Sequence, residues 1–120
     1  MRNKPSYSIF KNAKYALDGV ITAFDGEVSF KLELFFGFFI TLGIVFLPLT
    51  LFSKLILFIT MVLVMVVELL NSSIENVVDL VTSDIHPLAK NAKDIGAAAV
   101  LFTVVLHLVC WAVIVYSEIL

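Results

Sequence analysis

Glu68, Asn71, Glu75 and Asp79 follow one another at spacings of 3, 4 and 4. At about 100° per residue they fall within roughly 80° of arc, so a helix through them shows three carboxylates and an amide on one face. Ser72 sits at the edge of that face. Carboxylates arranged this way can take a proton from a hydroxyl or hold a hard cation, and an amide can orient either partner. Three such groups also repel one another and resist desolvation, so a proton, a lysine or a metal ion must neutralise them. Lys90 and Lys93 are the nearby cations in the sequence. Oxygen-only donors suit Mg²⁺, which commonly takes one or two carboxylates and fills its other positions with water and phosphate. Zinc fits poorly, since His86 and His107 lie far apart and the single cysteine, Cys110, falls in the middle of an apolar run.

The stripe continues directly from an uncharged run, Leu55 to Val67, and that setting decides its depth. The chain has 120 residues, 61% hydrophobic and 15% charged, with a mean hydropathy of +1.06. Soluble domains run about 45–50% apolar and 25% charged, so this composition predicts an integral membrane protein. Three uncharged runs carry it: Leu34–Ser53, Leu55–Val67 and Ile95–Ser117. The first and third are long enough to cross the roughly 30 Å of hydrocarbon alone. The middle run covers only about 20 Å, so its helix must continue past Glu68 toward Glu75 to finish the crossing. Glu68 is then expected below the lipid surface, where an ionisable group is costly and by default functional. Glu75 and Asp79 lie one to three turns nearer water.

The remaining elements follow from periodicity and breakers. Ile9, Phe10, Ala13, Leu17, Val20, Ile21 and Phe24 alternate with Lys11, Asn12, Lys14, Asp18 and Thr22 at the period of an amphipathic helix. A surface helix is expected over about 6–25, lying flat on a leaflet with its basic side wet. Asp25-Gly26 should break it. Spans are expected over 28–50, 51–81 and 88–118, with Pro48 at the end of the first and Pro87 suited to the opening of the third. The small residues Ala92, Gly96, Ala97, Ala98 and Ala99 would let another helix approach closely. Trp111 and Tyr116 have the character of interfacial anchors, and His107 and Cys110 that of packing residues.

Charge sets the expected orientation. Arg2, Lys4, Lys11, Lys14 and Lys31 precede the first span, Lys90 and Lys93 begin the third, and only Lys54 lies in the loop between the first two. The positive-inside bias therefore places the N-terminus and the 82–93 segment in the cytoplasm. No cleavable leader is expected, because the opening segment lacks a continuous apolar core. A net charge of −2 argues against nucleic acid as a partner. Neither a Walker loop nor a dinucleotide-binding glycine turn is present among the five glycines. On the residues alone the stripe suits an enzyme that brings a membrane hydroxyl to a charged, water-soluble reagent, or a small oligomeric conduit for cations or protons lined by Glu68, Glu75 and Asp79.

The segments VVELLNSSIENVVDL at 66–80 and HPLAKNAKDIGAAAVL at 86–101 resemble the small prokaryotic diacylglycerol kinase family. The likeness extends over essentially the whole chain, including the surface helix with Tyr15 and Gly19 and the Glu27-x-x-Phe30-x-x-Glu33 segment. It implies a single all-α membrane kinase domain over 1–120: one surface helix and three transmembrane helices per subunit, in a homotrimer whose active sites are shared between neighbours in the bacterial inner membrane. It implies ATP with Mg²⁺ as phosphoryl donor and diacylglycerol as acceptor, with undecaprenol as the alternative acceptor of a sister branch. By the family pattern Glu68 is the general base, with Asn71 beside it, and Glu27 and Glu75 hold the metal. Tyr15, Glu27, Glu75, Asp84, His86, Lys93 and Asp94 match nucleotide-binding positions, and Phe30, Glu33, Glu68, Ala97 and Trp111 match positions on the lipid. Two departures stand out: Ser8 replaces a frequent arginine, for which Lys11 or Lys14 would substitute, and Ala97 replaces a frequent serine. Together with the 74–80 segment they lean toward the undecaprenol branch.

Overall fold

A computed structural model describes residues 8–120. The chain forms four helices, α1 (Ile9–Gly26), α2 (Val28–Phe46), α3 (Leu51–Val81) and α4 (Pro87–Glu118), and the described residues contain no strand. The expected start of the surface helix at residue 6, and Arg2 and Lys4, lie outside the described residues. Helices α2, α3 and α4 are each long and apolar enough to cross a membrane. At 1.5 Å per residue, α3 and α4 span about 46–48 Å, so each crosses the hydrocarbon and projects beyond it.

The helix ends show why the chain turns where it does. Helix α1 ends at Gly26, within the Asp25-Gly26 pair expected to break it, and Glu27, with an extended backbone (φ −120°, ψ 112°), both caps α1 and begins α2. Its N–H bonds the Ala23 carbonyl at 2.9 Å and its own carbonyl accepts from Lys31 at 3.3 Å. Glycine tolerates a helix end, so the junction needs only one extended residue. Helix α2 stops at Phe46, four residues before the expected boundary, because Pro48 cannot continue it. Lys54 then reaches back to the Val45 carbonyl at 2.7 Å.

Thr50 caps α3 by accepting from the Ser53 N–H at 3.2 Å. The Glu118 carboxylate, from the far end of α4, joins the same cap and accepts from the Thr50 N–H at 2.8 Å and from the Ser53 hydroxyl. At the opposite end His86 caps α4, its Nδ1 accepting from the Leu88 N–H at 3.1 Å, and Pro87 opens the helix. Helices α3 and α4 are thus a tightly packed hairpin, with α2 against α3 and α1 against α2.

The buried apolar cluster lies near the 47–50 end: Ile44, Leu49, Leu57 and Ile114, with Trp111 and Cys110 packed on it. Leu57 has no accessible surface at all. One turn deeper, Thr60 meets His107 Nδ1 at 2.7 Å, and the Trp111 indole N–H donates to His107 Nε2 at 3.0 Å. Because Nε2 accepts, Nδ1 carries the hydrogen and donates to Thr60, whose hydroxyl passes its own to the Ile56 carbonyl at 3.0 Å. A buried imidazole between two helices is stable here because every polar atom has a partner. Trp111 therefore turns inward, its ring on the core and its N–H on His107.

Candidate functional site

The stripe residues emerge on α3 as it approaches the 82–86 loop, between α4 on one side and α1 and α2 on the other. Glu68 is half-buried and meets Glu33 of α2, their carboxyl groups within hydrogen-bonding reach. Two carboxylates at that separation need a third party, either a proton, a cation or a hydroxyl, to be stable together. Glu27 and Glu75 are the next carboxylates whose charge reaches Glu68, without forming one ligand cluster with it among the described residues.

Asn71 sits one turn from Glu68, and its amide NH₂ donates to Glu75 Oε1 at 3.3 Å. A carboxylate can only accept, so the amide orientation is fixed: nitrogen toward Glu75, oxygen away. That Asn71 oxygen, together with Glu33 Oε2, is buried without a hydrogen-bond partner. Buried polar atoms in folded proteins are nearly always paired, so these two are acceptors left open at the carboxyl pair.

Two clefts and a groove lie along this half of the fold, Glu27 lining one cleft and Glu33 the groove. The largest, about 700 Å³, separates α1 from α3; Ala16, Gly19, Ala23 and Glu27 line one wall and Ser72 and Asn76 the other. Tyr15 neighbours this row on α1. A second, about 310 Å³, lies under the α3–α4 loop and is lined by Asp79, Asp84, His86, Lys93 and Asp94 among others. Within it Lys93 binds Asp79 at 2.7 Å and Lys90 pairs with Asp94. A narrow apolar groove, about 190 Å³, runs from Glu33 past Gly37 to Ile40 and His107. Its polar boundary is Glu33, and the His107 nitrogens are engaged elsewhere.

Of the residues expected at the nucleotide, Glu27 lines the large cleft and Asp84, His86, Lys93 and Asp94 line the one under the loop, while Tyr15 and Glu75 stand next in sequence to Ala16 and Asn76 of the large cleft. Those expected at the lipid are dispersed. Glu33 and Glu68 meet, Phe30 is buried within the chain, and Ala97 is exposed on α4. Trp111 lies fourteen residues further along α4, about 20 Å away.

For a metal, the donors near Glu68 are Glu27 and Glu75, and no cluster of three or more His, Cys, Asp or Glu ligands forms among the described residues. Two carboxylates with no nitrogen or sulfur partner fit Mg²⁺ completed by phosphate and water, and do not fit a self-sufficient protein cage. Periodicity could not have paired Glu33 with Glu68, because the two lie on different helices. Asn76, on the wall of the large cleft, carried no signal beyond its nearness to Glu75.

A half-buried carboxyl pair, with a cleft bearing Glu27, Ser72 and Asn76 to one side and a hydrocarbon-lined groove to the other, is suited to joining a water-soluble reagent to a lipid hydroxyl. The model of the family described as prokaryotic diacylglycerol kinase matches residues 14–115. The diacylglycerol kinase of Escherichia coli (strain K12) is 36% identical over 113 residues, covering 92% of this chain and 90% of that one. The diacylglycerol kinase of Pseudomonas aeruginosa is 36% identical over 106 residues, 83% and 81% of the two chains. That of Synechocystis is 40% identical over 93 residues, 77% of this chain and 53% of its own length. With its three membrane-crossing helices and a match over most of its length, this chain belongs to the prokaryotic diacylglycerol kinase family of membrane lipid kinases.

Proposed function

We propose that the chain transfers the terminal phosphate of ATP to the free hydroxyl of diacylglycerol, giving phosphatidic acid and ADP. The observation behind this reading is the Glu33–Glu68 carboxyl pair, with Glu33 at the head of the apolar groove. A lipid whose chain lies in the groove brings its hydroxyl to Glu68. Glu68 takes the hydroxyl proton as the oxygen attacks the γ-phosphorus, and the bond from that phosphorus to the bridging oxygen breaks with its electron pair leaving on ADP. Phosphoryl transfer asks for positioning and charge neutralisation rather than covalent catalysis, which suits a site built from carboxylates and lysine.

Glu27 and Glu75 would hold Mg²⁺ on the ATP phosphates. When bound, the ion neutralises phosphate charge and orients the nucleotide. Asn71 orients Glu75 through the 3.3 Å contact. Lys93, now engaged with Asp79, is free to exchange that partner for a phosphate, since both side chains are partly exposed. Asp84, His86 and Asp94 complete the loop side of the nucleotide site, with Tyr15 on the α1 side and Lys11 or Lys14 serving where Ser8 replaces arginine.

The working unit is proposed to be a homotrimer of the single domain 1–120 in the bacterial inner membrane, N-terminus in the cytoplasm. Two features support it: the basic residues cluster on the α1 and 82–93 side, and among the described residues apolar side chains of α1 stand exposed, Phe10 at 85% and Leu17 at 64%. Undecaprenol as acceptor and an ion conduit are not favoured, since the matched relatives are named diacylglycerol kinases. The direct test offers purified protein ATP, Mg²⁺ and either lipid in mixed micelles. Phosphatidic acid is the expected product; polyprenyl phosphate alone would move the acceptor, and no lipid product would overturn the reading.

A further inference from the structure

Gly96 of α4 is buried directly against the Asn71 side chain. A Cβ built on Gly96 would overlap the Asn71 carboxamide oxygen and lie 3.3 Å from its Cγ. The oxygen is the same atom that is buried without a partner, and the other end of that amide donates to Glu75. We propose that Gly96 is a positioning residue of the phosphoryl-transfer site: its missing side chain is the socket that holds the Asn71 amide with its nitrogen on Glu75, and so aims the Glu75 carboxylate at the metal. This rests on the reading of Glu75 as a metal ligand.

Geometry leaves Asn71 as the group that must yield if the socket is filled. Helices α3 and α4 are tied on both sides of Gly96, by Lys93 to Asp79 at 2.7 Å toward the loop and by His107 to Thr60 at 2.7 Å toward the other end. The Thr60–His107 contact is buried between the helices, so parting them at Gly96 would disturb a packed interface. A rotamer change of Asn71 is the cheaper response, and it withdraws the amide from Glu75. The other helical glycines of this chain do not behave alike: an added Cβ at Gly19, Gly26 or Gly43 meets nothing within 4 Å, and at Gly37 only the Met61 sulfur at an ordinary 3.8 Å. Alanine is also the better helix former, so a loss caused by Gly96→Ala cannot be a weakening of α4 itself.

The experiment measures Mn²⁺ binding to the ATP-loaded protein by electron paramagnetic resonance in four proteins: unaltered, Gly96→Ala, Asn71→Ala and the double variant, with Glu75→Gln as reference. Outer partners of metal ligands typically change affinity by about 10- to 100-fold, so Gly96→Ala should weaken Mn²⁺ binding about tenfold in the unaltered background. In the Asn71→Ala background the same change should alter it by less than about twofold, because the two residues act as one unit. Equal losses in both backgrounds, or no loss in either, overturn the proposal. If Gly96→Ala does not fold, recovery of folded protein in the double variant supports it, and failure of the double variant overturns it. If Glu75→Gln leaves Mn²⁺ binding intact, the metal assignment itself fails and takes this inference with it; if only Gly96→Ala is silent, the assignment stands and the inference alone falls.

Discussion

The α3–α4 hairpin has polar groups at both ends, and the two ends treat them oppositely. Toward the 47–50 loop polar side chains find partners inside the chain: Thr50, Ser53 and Glu118 close a cap, and Thr60, His107 and Trp111 form a relay. The buried apolar cluster lies there too. Toward the 82–86 loop, the Glu33 and Glu68 carboxyls meet and buried oxygens of Asn71 and Glu33 have no hydrogen-bond partner. The difference teaches that one end is finished by folding and the other awaits something from outside. In a membrane, where open polar atoms are costly, an unfinished end is a place reserved for ligand.

The contrast is broken most sharply by changing one residue on each side. Glu68→Gln keeps size and removes the base, so turnover should fall by about 10²–10⁴-fold while nucleotide binding persists; steady-state kinetics and equilibrium nucleotide binding check this. Next in size, Glu75→Gln should raise the Mg²⁺ concentration needed for half-maximal rate by about 10- to 100-fold. A normal Mg²⁺ titration would remove Glu75 from the metal. On the finished side Thr60→Val, which removes a partner of His107 but lines none of the three concavities, should leave kinetics unchanged and reduce stability by about 1 kcal/mol, the scale of a hydrogen bond within a membrane. Unfolding in mixed micelles measures it, and a large loss of kcat would mean that the relay belongs to the chemistry. Smallest of all, Glu118→Gln keeps most of the cap and should lower the unfolding temperature slightly with unaltered KM for ATP.

Much of this contrast was legible from the sequence, and the missing part has a common cause. Hydropathy located the three crossing helices, since run length is itself a physical requirement for crossing. The 3, 4, 4 spacing located the stripe, because neighbours on one helix face are dictated by helical geometry. What periodicity cannot encode is which face of one helix meets another. Glu33 facing Glu68, Asn71 seated on Gly96, and Glu118 capping a helix 65 residues earlier through Ser53 all depend on interhelical register. His107 had the character of a packing residue and does pack, but its engagement of Thr60 and Trp111 needs the hairpin closed. Trp111 illustrates the same limit: its interfacial character suggested an anchor, and its N–H is instead spent inside the bundle. The Asp25-Gly26 pair looked like a breaker, and α1 does end at Gly26, although the residue that takes the extended backbone is Glu27.

The most direct test of an end left open for lipid and nucleotide is the transfer of labelled phosphate from ATP to diacylglycerol by purified protein, run in parallel with Glu68→Gln. Labelled phosphatidic acid from the unaltered protein and almost none from the variant is the expected result. Equal labelling by both, or none by either, would contradict it.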